Sequence, residues 1–173
     1  ILLGGSFRNF IDYTRNYLLK FDILNKALLP FNPSPNSTVR TMVLEGNNLY
    51  LGGFFTTIDG QQRNRAAAIN TSTEALLPFN PNLNSFVETI LLRNGIAYLG
   101  GSFTTAGGQP RNYFAAVNTS NNNLLPWAPN PNTTVNAIVS GNNDDLLLGG
   151  AFSTFSNLTR RYGLAVDVTT AQL

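Results

Sequence analysis

The 173-residue chain contains no cysteine and no histidine. These absences exclude disulfide bonds, metal sites built from cysteine or histidine, and catalysis by a histidine base or a cysteine nucleophile. Charged residues are also scarce, at 12% of the chain, which is about half their share in an average domain. The formal net charge is only +2 and no basic run occurs, so the composition argues against nucleic acid as a partner. No stretch of 18 apolar residues is present, so membrane insertion is not predicted.

The most prominent feature of the sequence is a repeated segment. "NLYLGGFFTTIDGQQRNRAAAIN" from Asn48 returns as "AYLGGSFTTAGGQPRNYFAAVN" from Ala97. Glycine pairs recur at intervals of 48, 48 and 49 residues, at Gly4-Gly5, Gly52-Gly53, Gly100-Gly101 and Gly149-Gly150. An arginine follows each pair at the same register, at Arg15, Arg63, Arg111 and Arg160. The phrases "LLPFNP", "LLPFNP" and "LLPWAP" place a third set of side chains at one register, at Phe31, Phe79 and Trp127.

Proline-rich links divide the chain into a partial unit 1–33, units 34–81 and 82–129, and a partial unit 130–173. Four strand-like runs fill each complete unit, and in the second they are "VRTMVLE", "NLYLGG", "RAAAIN" and "EALLPF". The stretch "TTIDGQQ" is predicted to be a longer loop between the second and third runs. The prolines of the links exclude helix and central strand there, and no segment has a sustained helical period.

Four short strands recurring about every 48 residues are typical of a β-propeller blade. We therefore predict an all-β fold of four-stranded antiparallel blades, roughly four of them, in one propeller domain that continues beyond both ends. Runs of small residues such as "AAAIN" let neighbouring sheets approach closely. We expect the paired glycines to remove a Cβ where backbones meet, and to permit a bulge or a positive φ.

The phrase "VETILLRNGIAYLGGSFTTAGGQPRNYFAAVNTSNNNLLPWAPNPN" resembles the delta-60 repeat, a kelch-like propeller blade with a Gly-Gly doublet. The resemblance covers nearly the whole chain, although the first and last units depart from the pattern in their loops. It implies a secreted or cell-surface protein, and it implies no particular chemistry. A similar module occurs in fungal cortical landmark proteins.

The repeated arginines and aromatic residues each allow two interpretations. The arginines could form a cationic ring for an acidic polymer, or each guanidinium could bond to loop carbonyls or stack on an aromatic ring. Occurrence in every unit favours the structural role, because a binding site is usually needed only once. Trp127 could be a platform for a sugar ring, but the phenylalanines at its register favour packing between units.

Catalysis, metal binding and cofactor binding have no support in the residue pattern. The nine acidic residues form no recurring pair of the kind that glycosidases use. Asp22 and Asp167 align with Asn70 and Asn118, which predicts an Asx-turn at this register. Five N-x-S/T triplets are candidate glycosylation sites if the source glycosylates its proteins, at Asn36, Asn70, Asn118, Asn132 and Asn157.

The sequence thus predicts a non-enzymatic extracellular or cell-surface module with a structural or adhesive role. Its expected partners are other blades or domains of the same longer chain, or partner subunits. One alternative is a lectin-like module that binds surface glycans, and another is a non-catalytic part of a larger surface enzyme.

Overall fold

The computed structural model describes residues 1–142 and 145–168. Within these ranges the protein is all-β, as predicted, with 20 strands and no helical residue. Consequently no described helix could span a membrane. The strands, in chain order, are β1 (Leu2–Gly4), β2 (Asn9–Phe10), β3 (Tyr13–Thr14), β4 (Leu18–Asp22), β5 (Ala27–Leu28), β6 (Val39–Glu45), β7 (Asn48–Gly53), β8 (Thr57–Ile58), β9 (Gln61–Gln62), β10 (Ala66–Asn70), β11 (Val87–Arg93), β12 (Ile96–Gly101), β13 (Thr105–Ala106), β14 (Gln109–Pro110), β15 (Phe114–Asn118), β16 (Val135–Ser140), β17 (Asp145–Gly150), β18 (Thr154–Phe155), β19 (Leu158–Thr159) and β20 (Gly163–Asp167).

The strands form one three-stranded antiparallel sheet in each sequence repeat. The sheets are β1-β4-β5, β6-β7-β10, β11-β12-β15 and β16-β17-β20. We call the corresponding chain segments unit 1 (1–33), unit 2 (34–81), unit 3 (82–129) and unit 4 (130–168). Each unit also contains a separate two-stranded hairpin, namely β2-β3, β8-β9, β13-β14 or β18-β19.

The fourth predicted run is much shorter than expected in units 1, 2 and 3, and in unit 4 it lies outside the described residues. In units 2 and 3 it contributes a single β-bridge, between Leu76 and Ile69 and between Leu124 and Val117. One further main-chain bond follows in unit 2, from Leu77 N to Ala68 O. Pro78 comes next and has no N–H to donate, so the ladder ends there.

The predicted long loop between the second and third runs is a tight hairpin. In unit 2, Ile58 pairs with Gln61 across a two-residue turn formed by Asp59 and Gly60, whose φ angles are 48° and 72°. Two successive positive φ angles are the signature of a type I′ turn, for which Asp-Gly is a preferred sequence. The signal was therefore present in the sequence as "IDGQ".

The hydrophobic core lies between units. Tyr50, Ala68 and Phe79 of unit 2 belong to one buried cluster with Val87 and Leu99 of unit 3. Two equivalent clusters join unit 1 to unit 2 and unit 3 to unit 4. Each sheet therefore buries its apolar faces against the sheets of neighbouring units.

The far face of unit 4 breaks this pattern. Leu147 is 43% exposed, whereas Tyr50 and Tyr98 at the same register are each 5% exposed. Val139 on the neighbouring strand is 53% exposed. The face that units 2 and 3 bury against the following unit is thus open to solvent in unit 4.

Candidate functional site

The first glycine of each pair lies where two units meet. A Cβ added to Gly52 would lie 2.6 Å from Val87 Cγ1, and one added to Gly100 would lie 2.8 Å from Val135 Cγ1. Gly4 has the same relation to Val39, at 2.9 Å. A Cβ on Gly149 would meet no described atom closer than 3.7 Å, since no described residue packs against that face as Val87 and Val135 do against Gly52 and Gly100.

The second glycine of each pair lies against the main chain of its own unit. A Cβ on Gly53, Gly101 or Gly150 would overlap the carbonyl oxygen of Thr38, Phe86 or Thr134. Gly5 is the exception, since its added Cβ would lie 3.4 Å from Phe7. None of the eight paired glycines has a positive φ. The strand opposite Gly52-Gly53, Gly100-Gly101 and Gly149-Gly150 instead has the register shift of a β-bulge, so the bulge is the alternative that occurs.

The four arginines all donate to main-chain carbonyls, but their burial differs. Arg111 is only 8% exposed and donates to Pro110 O at 2.8 Å and to Leu125 O at 3.0 Å. Arg63 makes the same pair of bonds in unit 2. Arg15 is partly exposed and donates to Thr14 O, and Arg160 is exposed and donates to Thr159 O. In the inner units the guanidinium group therefore ties the hairpin to the short fourth run.

The aromatic residues of the "LLPFNP" register pack inside the molecule. Phe31 and Phe79 are each 2% exposed, and the ring of Phe79 makes an edge contact with Tyr50. Trp127 is partly buried, with its ring centroid 5.1 Å from that of Phe114 and 6.5 Å from that of Phe155. Trp127 thus packs between units 3 and 4, and its contacts match the packing interpretation.

Asn36 and Asn132 use their side chains to hold a hairpin. Asn36 Oδ1 accepts from the amides of Thr56 and Thr57, and its Nδ2 donates to Thr56 Oγ1 at 2.8 Å. Asn132 makes the equivalent three bonds in unit 4. Asn84 does the same in unit 3 without being part of an N-x-S/T triplet, so this register serves the fold.

The remaining triplets fall on two kinds of turn. Asn70 Oδ1 and Asn118 Oδ1 each accept from the two amides that follow two and three residues later, as an Asx-turn requires. Asp22 makes the same bonds in unit 1. For Asp167, the corresponding residues lie outside the described part of the chain. Asn157 is exposed at the tip of the β18-β19 hairpin.

One recurring position was missed from the sequence. Tyr17, Arg65, Tyr113 and Tyr162 have φ angles of 63°, 69°, 62° and 67°. Each main-chain carbonyl accepts from the second paired glycine, and each amide donates to the carbonyl of the phenylalanine after that pair. Bulky residues rarely adopt this conformation, so nothing in the residue type indicated it.

A cleft of about 340 Å³ opens between units 2 and 3. Ala68, Leu77, Pro78 and Phe79 of unit 2 form its apolar part. Its polar part comes from Glu45, Asn48 and Tyr50 of unit 2 and from Thr119 and Ser120 of unit 3. The volume is that of a small-molecule site, and its mixed lining suits a ligand with both apolar and hydroxyl groups.

The cleft was not predicted, because it depends on how two sheets are spaced. It contains one carboxylate, that of Glu45. Across the described residues, no group of three or more His, Cys, Asp or Glu side chains could hold a metal ion.

No protein-family model matches the chain, and no curated protein shows significant similarity to it.

Proposed function

We propose that the four units are blades of a β-propeller of the delta-60 type. Three features support this proposal: a repeat of about 48 residues, one small antiparallel sheet in each repeat, and burial of apolar faces between consecutive sheets. The close approach at Gly52 and Gly100 supports it further, since small residues let the sheets pack near a common axis.

We infer that this propeller is a non-enzymatic extracellular or cell-surface module with a structural or adhesive role. One observation carries this proposal: the repeated polar side chains form hydrogen bonds that hold the fold together. Arg63 and Arg111 bond to main-chain carbonyls, and Asn36 and Asn84 hold hairpins, so the repeated residues supply no reactive group. The resemblance to delta-60 repeats supports the location, and the charge-poor, amide-rich surface suits weak, multivalent contact.

The exposed face of unit 4 is the proposed contact with a further unit, either of the same longer chain or of a partner subunit. Val139 and Leu147 are apolar and exposed there, while the matching faces of units 2 and 3 are covered. The occupant would present a β-branched residue at the register of Val87 and Val135, because these side chains meet Gly52 and Gly100.

Two experiments test the proposed function. Protease treatment of intact source cells should release fragments of this chain, because the proposed location is the outer surface of the cell. The purified protein should turn over no glycosidic or ester substrate. Turnover that disappears on substitution of its own carboxylates would contradict the proposal.

A further inference from the structure

We propose that the cleft between units 2 and 3 binds a neutral saccharide, with the apolar side of a pyranose ring on the accessible side chains of Leu77 and Pro78 and its hydroxyls toward Glu45, Asn48 and Tyr50. This inference goes beyond the proposed structural role and does not depend on it.

Departures from the repeat leave the cleft open at this junction. Ala68 lines the cleft, and the equivalent residue of unit 1 is Lys20, whose Nζ reaches across to Thr71 O of unit 2. Glu45 is replaced in unit 3 by Arg93, which donates to Asp145 O of unit 4 at 3.1 Å. Thus Lys20 and Arg93 each bond across their own junction, whereas Ala68 and Glu45 at the same positions make no such bond between units 2 and 3 among the described residues.

The polar groups of the cleft are available to a ligand. The Tyr50 hydroxyl, the Glu45 carboxylate and the Asn48 Nδ2 have no hydrogen-bond partner among the described residues. Tyr50 is nevertheless only 5% exposed, so its position is fixed by the packing of its ring against Phe79. The cleft therefore offers a tyrosine hydroxyl held in place by packing, together with an amide donor and a carboxylate acceptor.

This combination selects for a hydroxyl-rich ring. A pyranose carries hydroxyl groups around an apolar C–H face, which matches an apolar wall bordered by donors and a carboxylate. An anionic ligand would meet the Glu45 carboxylate, and no lysine or arginine lines the cleft to offset that charge. An acyclic polyol has the same hydroxyls, but it must lose more conformational entropy on binding.

Ligand-observed saturation-transfer NMR on the whole chain tests the proposal. The probes are the methyl glycosides of glucose, galactose, mannose and N-acetylglucosamine, with sorbitol as the acyclic comparison. At least one glycoside should bind saturably, and sorbitol should not. Tyr50→Phe removes one hydrogen bond and Glu45→Gln replaces a charged acceptor with a neutral one, so each should weaken binding of that glycoside about tenfold.

The matched control is Glu74→Gln, which removes an exposed carboxylate from the same unit outside the cleft. It should leave the dissociation constant unchanged. Ala68→Lys copies the residue of unit 1 and should abolish binding by filling the cleft. If Ala68→Lys does not fold, as judged by circular dichroism, the dissociation constants of Tyr50→Phe and Glu45→Gln still test the proposal.

Failure of all four glycosides to bind, or binding that Tyr50→Phe and Glu45→Gln leave unchanged, would overturn the saccharide site. Either result would leave the proposed structural role unaffected, because that role rests on the contacts between units.

Discussion

At the residue scale, the repeated glycines and arginines make the same contacts in the two inner units, and these contacts differ in unit 4. A Cβ on Gly100 would lie 2.8 Å from Val135 of the next unit, whereas one on Gly149 would meet its nearest neighbour at an ordinary contact distance of 3.7 Å. Arg111 is buried with two carbonyl partners, whereas Arg160 is exposed and has one carbonyl partner among the described residues. The same position can therefore be compared between an inner unit and unit 4 of one chain.

The glycine contacts predict a difference between two identical substitutions. Gly100→Ala should lower the free energy of unfolding by about 1–3 kcal/mol, because the new Cβ would overlap Val135 and Thr89. Gly149→Ala should change it by less than about 0.5 kcal/mol, or raise it slightly by restricting the unfolded chain. Urea denaturation measures both, and equal losses would show that crowding between units is not the reason for glycine.

The arginines predict a second difference. Arg111→Ala should lower the free energy of unfolding by about 2 kcal/mol, because the carbonyls of Pro110 and Leu125 lose a charged donor in a buried setting. Arg160→Ala should cost no more than about 0.5 kcal/mol, as expected for an exposed side chain. The two variants are compared by thermal and urea unfolding, and a larger loss for Arg160→Ala would refute this explanation.

Asp22 gives a prediction of pH dependence. Hydrogen bonds from the side chain and main chain of Asn25 lower the pKa of Asp22 below its ordinary value of 3.8. Since the folded-state pKa is the lower one, this contribution to stability is present above pH 3.8 and is lost as the pH falls through the folded-state value.

The Asp22→Asn variant isolates this effect, because Asn70 and Asn118 form the same turn without titrating. The stability of the original protein relative to the variant should fall as the pH is lowered from about 5 to about 2, because the carboxyl group takes up its proton over that range. Urea midpoints across that range provide the measurement. A difference that does not vary with pH would contradict the role assigned to Asp22.

At the scale of elements, the strand pattern of the inner units could be read from the sequence. The runs "VRTMVLE" and "NLYLGG" coincide with β6 and β7, because each is an apolar-rich run and the two-residue turn Gly46-Asn47 separates them. The short fourth run was overestimated, since its length depends on where Pro78 interrupts pairing. Two features could not be predicted, because they arise from contacts between distant segments. They are the cleft and the positive φ angles of Tyr17, Arg65, Tyr113 and Tyr162.

The hairpins predict a stabilising change in unit 4. Ser156 and Asn157 occupy the turn positions with φ angles of 50° and 62°, where unit 2 has Asp59 and Gly60. Asn157→Gly should raise the free energy of unfolding by about 0.5–1 kcal/mol, because glycine adopts a positive φ without steric cost. The reverse change in unit 2, Gly60→Asn, should lower it. Chemical denaturation of the two variants measures both free energies of unfolding. A loss of stability in Asn157→Gly would count against the turn assignment.

At the scale of the whole molecule, the buried apolar clusters lie between consecutive units. Each apolar cluster takes side chains from two consecutive units, so a unit without neighbours would leave that surface in water. The proposed propeller extends the same relation to the far face of unit 4, where Val139 and Leu147 are exposed.

The most direct test of the proposed propeller is a crystal structure of the whole protein in which this chain occurs. We predict a ring of like units in which a further unit covers Leu147 and brings a β-branched side chain against Gly149, as Val87 meets Gly52. A structure in which the sheets form an open array, or in which a helix or solvent covers Val139 and Leu147, would contradict the proposal.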